Sequence, residues 1–171
     1  LMVGRDVIFT IDKKESKPTE TILKVRNLVM EDKIHKGVNI VDDISFDVKR
    51  GEIVCIAGID GNGQNEVVFG ITGLEKVKGG HVYLKEKDIT DESIHRRIKE
   101  GISHIPADRH KYGLVLDYSL YYNSVLEEYT YKKFTKNRVF LNEKNMEEYT
   151  KTLEDKYDVR SGQGAKTVVR S

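Results

Sequence analysis

The sequence predicts an α/β fold, and three observations carry that prediction. An uninterrupted apolar run, Ile53-Val54-Cys55-Ile56-Ala57, leads straight into the glycine-rich loop Gly58-Ile59-Asp60-Gly61-Asn62-Gly63-Gln64-Asn65-Glu66. Upstream of it, two segments alternate apolar and polar residues as half-buried strands do. Near the C-terminal end, apolar residues recur at three- and four-residue intervals, as helices require. A β-rich start, a glycine loop with its helix, a mixed stretch and a helical end read as α/β with an appended helical part.

The elements follow in order. Thr21 to Val29 alternates through Ile22, Leu23, Val25 and Leu28 and is expected to be a strand. Lys33 to Gly37 reads as a turn, and Asn39 to Val48 as a second strand with Ile44, Phe46 and Val48 on one face. After a turn at Lys49-Arg50-Gly51-Glu52, Ile53 to Ile59 has the pattern of a strand buried on both faces. Asn65 to Ile71 opens a helix. Gly79-Gly80 breaks the chain, and His81 to Leu84 with Lys87 to Ile89 reads as a strand and its continuation. Glu92 to Lys99 is a short helix with charged faces. Gly101 to Pro106 is a further buried-strand candidate, stopped by proline. Leu120 to Tyr131 and Asn142 to Tyr157 have helical spacing, joined by a basic link from Tyr131 to Arg138.

The composition sets limits. The 171 residues suffice for one domain with a core, and 38% hydrophobic with 33% charged residues is that of a globular chain. Lysine and arginine total 29 against 28 acidic residues, a net charge of +1 that gives no whole-chain case for nucleic acid. The single cysteine, Cys55, excludes an internal disulfide and is expected to be a buried core thiol in a reducing compartment. No apolar run approaches the ~20 residues that span a bilayer.

The glycine loop carries the chemistry. Successive backbone N–H groups can curl round phosphate oxygens when glycines supply positive φ angles, and the following helix adds its N-terminal donors. Gly58, Gly61 and Gly63 provide that frame. A phosphate loop usually ends in lysine followed by serine or threonine. Here Gln64 and Asn65 stand in those places, and Glu66 follows. Gln64 donates a hydrogen bond but no charge, and Asn65 offers magnesium only an amide oxygen. Two charges ~4 Å apart interact by about 4 kcal/mol at an effective dielectric of about 20. Losing the lysine therefore weakens phosphate binding, and the expected site residues are Gly58, Ile59, Asp60, Gly61, Asn62, Gly63, Gln64, Asn65 and Glu66. No catalytic residue and no metal ligand is expected.

From Leu23 to Ser171 the chain resembles the nucleotide-binding domain of an ATP-binding cassette (ABC) transporter. The resemblance rests on Ile40 to Val48 with Arg50-Gly51-Glu52-Ile53, on Gly58 to Glu66, on Ile105-Pro106-Ala107-Asp108-Arg109 and on His110 to Leu116. The last two stretches are similar to the second, degenerate cassette of the tandem ATPase subunits of simple-sugar and nucleoside importers. The resemblance implies an α/β P-loop NTPase of the ABC-cassette type, truncated: a β-rich subdomain, part of the core sheet and part of the helical subdomain. On this reading residues 1–11 are the tail of a preceding cassette, 12–20 a linker, 21–118 the β-subdomain and partial P-loop core, and 119–171 a partial helical subdomain. The signature, Walker B aspartate, catalytic glutamate and switch histidine are expected beyond Ser171.

The resemblance further implies weak binding of ATP or ADP with Mg2+ and a cytoplasmic-face, peripheral location. The implied partners are the first cassette of the same polypeptide, transmembrane permease subunits met near Tyr112 to Tyr131 and, indirectly, a solute-binding lipoprotein. Ala107 departs from the pattern, standing where cassettes carry glutamine or, in this subfamily, glutamate. No Phe, Tyr or Trp lies between Lys33 and Asn39 to stack on adenine, so His35 is the ring available for the base. A soluble tandem cassette acting on ribosomes or repair complexes is the alternative, disfavoured by the absence of a basic stripe with aromatics.

Overall fold

The computed structural model describes residues 15–137 and 139–170. The expected tail over residues 1–11 and the first part of the linker lie outside the described residues. The chain divides into two compact units, Leu1–Ile102 and Ser103–Ser171.

The first unit is built on a four-stranded antiparallel sheet. Its strands are β1 (Thr21–Glu31), β2 (Asn39–Lys49), β3 (Gly79–Leu84) and β4 (Lys87–Asp88), in the order β2-β1-β3-β4. The alternating segments became strands as expected, but strict alternation would place Val25 and Leu28 on opposite faces. Both are fully buried, because a bulge between them resets the phase. Asn27 at this bulge and Asp43 at the next register shift, on β2, adopt positive φ (49° and 54°). The Asn27 amide donates to Asp43 Oδ1 (2.6 Å), and the Asn27 N–H donates to Ser45 Oγ (2.8 Å).

Helix α1 (Gln64–Thr72) lies on this sheet. It buries Val67 with Val25, Leu28, Met30, Val41, Val82 and Ile89 in one apolar core. Gly70 permits the approach, since a Cβ there would meet the Met30 sulfur at 2.9 Å. Helix α2 (Ile94–Glu100) starts at Ser93, whose hydroxyl accepts the Arg96 N–H (3.3 Å) and satisfies one orphan donor. Ser93→Ala is expected to lower the stability of this unit by about 0.5–1 kcal/mol. The measurement is the shift of the urea midpoint followed by circular dichroism; an unchanged midpoint would show that the cap contributes nothing.

Two expected buried strands are corrected. Residues 53–59 form no strand and are exposed, Ile53 by 81% and Ile59 by 78%. A strand buried on both faces takes its burial from paired neighbours and covering layers, and none of the described strands pairs with this run. Cys55 within it is accordingly exposed, not a core thiol. Residues 101–106 form no strand either: Ile105 is 93% exposed, while Ile102 is half-buried and packs on the core.

The second unit contains α3 (Leu120–Asn123), a small hairpin of β5 (Thr135–Lys136) and β6 (Phe140–Leu141), and α4 (Glu143–Tyr157). Its core is Val125, Phe134 and Met146, ringed by Tyr121, Tyr122, Tyr131 and Tyr149. The helix expected over residues 120–131 is only one turn long. Past Asn123 the backbone bonds shorten to the i→i−3 pattern, the Val125, Leu126 and Glu128 N–H groups donating to the Tyr122, Asn123 and Val125 carbonyls (3.4, 3.3 and 2.9 Å), so the chain leaves the α-helix for tighter turns. The Asn123 side chain bonds the segment ahead of the helix instead, accepting the Val115 N–H (2.8 Å) and donating to the Val115, Tyr118 and Ser119 carbonyls. The basic link between the helices holds β5. The expected long helix is present as α4, begun after Asn142. Among the described residues no helix is long and apolar enough to cross a membrane.

Candidate phosphate-binding loop

The loop follows residues 53–57, which belong to no strand, and turns into α1. Gly61 and Gly63 take left-handed φ values of 84° and 91°, and the Asn62 N–H donates to the Ile59 carbonyl (3.2 Å). Gly63 is fixed twice over. Its φ suits glycine, and a Cβ there would lie 2.6 Å from the Ile40 carbonyl and 3.1 Å from Val41 Cγ2. The start of β2 therefore presses on the loop, a constraint that sequence reading missed. The first internal helical bond runs from the Val67 N–H to the Gly63 carbonyl (2.9 Å). The N–H groups of Gln64, Asn65 and Glu66 thus belong to the open first turn that an anion can use.

The side chains at the end of the loop change that picture. The Gln64 amide folds back and donates to the Ile59 carbonyl (3.0 Å), against Gly58, where a Cβ would be 2.1 Å from its nitrogen. Gln64 therefore bonds the loop itself. Asn65 is exposed and Glu66 half-buried in the first turn of α1, where the helix dipole favours its carboxylate but a phosphate would meet a like charge. The backbone presents open N–H donors; the side chains supply neither the cation nor the hydroxyl that would hold Mg2+.

His35 sits in the turn between β1 and β2. Asp32 organises that turn: its Oδ1 accepts the Ile34 and His35 N–H groups (2.7 and 3.1 Å), and its Oδ2 contacts His35 Nδ1 (3.1 Å). The hydrogen bond from His35, then those from the backbone, hold the Asp32 carboxyl below its ordinary range. The imidazole is exposed and its contacts stay within its own turn, so nothing brings it directly onto the loop. The turn leads within a few residues to Ile40, which does touch Gly63. The Asp-x-x-His spacing is the signal that would have found this oriented ring.

Ala107 lies in the second unit, exposed, just ahead of a π-type turn at Arg109–Gly113. Asp108 caps that turn by accepting the Lys111 N–H (3.0 Å). Its neighbour's methyl group offers no ligand.

A further buried group supports the loop's helix. Arg97 is only 2% exposed, and its guanidinium donates to the Gly70 and Ile71 carbonyls at the end of α1 (3.1 and 2.7 Å). It also donates to the Thr90 and Glu92 carbonyls (2.6 and 2.9 Å). Burial pushes its pKa down, while Asp91, Glu92 and Asp88 oppose that shift.

A glycine-rich loop with an open first helical turn, opening α1 on the sheet, has the form of a candidate phosphate loop. The ABC transporter family model matches residues 41–168, and the chain belongs to that family. It is 40% identical over 161 residues to the guanosine import ATP-binding protein NupO of Bacillus subtilis, covering 94% of this chain and 31% of that protein. It is 39% identical to the nucleoside import ATP-binding protein NupA of Lactococcus lactis, with 94% and 31% coverage. It is 34% identical to the glucose import ATP-binding protein TsgD13 of Haloferax volcanii, covering 94% of the chain and 28% of the relative. The chain thus spans about a third of the length of these relatives. A nucleotide-free ATP-binding cassette shares the fold at a TM-score of 0.66 and 19% identity, over 89% of this chain and 59% of that one.

Proposed function

We propose that the chain is part of the second, degenerate cassette of an importer ATPase for a nucleoside or simple sugar, and that it binds ATP or ADP weakly without turning it over. The observation that carries this reading is the loop itself. Its backbone cradle is intact through Gly61, Gly63 and the open first turn of α1, while Gln64 spends its amide on Ile59. The names of the relatives support the solute classes. Bound nucleotide would supply its phosphate chain to the Gly58–Glu66 backbone and its base to the turn of His35. Asn65 is a poor magnesium ligand, so the metal would be carried mainly by the nucleotide.

On this reading the partners are a first cassette of the same polypeptide, permease subunits and, through them, a solute-binding lipoprotein, at the cytoplasmic membrane face. In the intact subunit ATP at this loop would help close the two cassettes, and hydrolysis would fall to the other site. Calorimetric titration with ATP and Mg2+ is expected to give a dissociation constant weaker than about 1 µM, that is less than about 8 kcal/mol of binding. Sub-micromolar affinity would overturn the weak-site reading, and sustained phosphate release would overturn the non-hydrolytic one.

A further inference from the structure

The twelve residues Tyr131 to Asn142 contain Lys132, Lys133, Lys136 and Arg138 and no acidic residue, in a chain of net charge +1. They carry the β5–β6 hairpin. Its base is anchored, because Phe134 is buried in the core of the second unit and its carbonyl accepts the Asn142 N–H (2.8 Å). Its far end is the opposite: Val139 is 77% and Phe140 68% exposed. Lys136 and Phe140 are register partners, so a cation and an aromatic ring share one face of the ribbon. Lys133 is occupied internally, bridging to Glu128 (3.1 Å) and lying 4.3 Å from the centre of the Tyr149 ring. Lys132 and Lys136 are exposed and have no acidic partner among the described residues.

Cations beside exposed apolar side chains, on a ribbon anchored at its base, are the arrangement that binds an anionic lipid surface: lysines meet headgroup phosphates while aromatic and aliphatic groups enter the interface. We propose that this hairpin is a membrane-surface contact for anionic phospholipid, with Lys132 and Lys136 at the headgroups and Val139 and Phe140 in the interfacial layer. Uncharged side chains alone would serve an apolar protein groove; Lys132 and Lys136, exposed beside apolar groups in a segment with no acidic residue, favour the lipid.

The test is sedimentation of the chain with vesicles of equal parts phosphatidylglycerol and phosphatidylcholine, against vesicles of phosphatidylcholine alone. Binding is expected to the first, to weaken with added salt, and to fall about tenfold or more in K132E/K136E and in V139S/F140S. All four positions are exposed, so the variants are expected to keep the wild-type circular dichroism. Residues 53–59 are also exposed and apolar. Vesicle capture that persists in both variants would assign binding to such surfaces and overturn the proposal. Equal capture by both vesicle types, or none by either, overturns it as well and leaves the hairpin to an acidic protein partner. Nucleotide affinity is expected to be the same in all variants, so this outcome and that of the ATP titration are independent.

Discussion

Arg97→Met is expected to destabilise the first unit by about 3 kcal/mol or more. The guanidinium of Arg97 is buried. It is the hydrogen-bond donor for four carbonyls, two of them among the last of α1, which have no intrahelical partner. Each buried carbonyl left unpaired costs about 1–3 kcal/mol, and water reaching some of them after the substitution reduces the sum. The positive charge at the C-terminal end of α1 also opposes the helix dipole's negative pole. Arg97→Lys is expected to recover only part of the loss, because an ammonium is a compact point donor and lacks the planar fork that reaches four directions. Denaturation followed by circular dichroism gives the magnitude, and hydrogen exchange of the Val67 to Thr72 amides shows where the loss falls. A change below about 1 kcal/mol would mean that those carbonyls are satisfied without it.

Gln64→Lys combined with Asn65→Ser and Glu66→Thr is expected to tighten ATP–Mg2+ binding by about tenfold or more, which is about 1.4 kcal/mol. The local charge rises by two units, one from the added lysine and one from the lost glutamate. The raw attraction of one such charge to a phosphate, about 4 kcal/mol at ~4 Å, is offset by desolvation and by ordering of the lysine. The substitution also removes the Gln64 amide from the Ile59 carbonyl, freeing the loop interior. Gln64→Ala separates the two contributions, since it removes the contact without adding charge. Calorimetric titration of the wild type and both variants checks the prediction; unchanged affinity in the triple variant would place the obstacle to binding somewhere other than these side chains.

The glycine loop was readable because its requirement is local: positive φ at Gly61 and Gly63 between an apolar run and a helix leaves a fixed spacing in the chain. Arg97 was not readable. It stands beside Arg96 and near Lys99 in a helix that reads as charged on its exposed faces, and only the helix's rotation against the end of α1 buries one arginine and leaves the other in solvent. The turn of His35 lies between: the ring could be named, while its orientation depends on the Asp32 carboxylate three residues earlier.

Short-range causes alone specify the local elements: the two alternating strands, the loop, the helix behind it and the amphipathic α4. The tertiary structure decided what depends on neighbours. It set the bulge at Asn27 that turns both Val25 and Leu28 inward, and it left residues 53–59 and Ile105 exposed. Periodicity specifies which residues can share a face, but burial is a property of two surfaces, and a run made for a sheet interior stays in solvent where no described strand pairs with it.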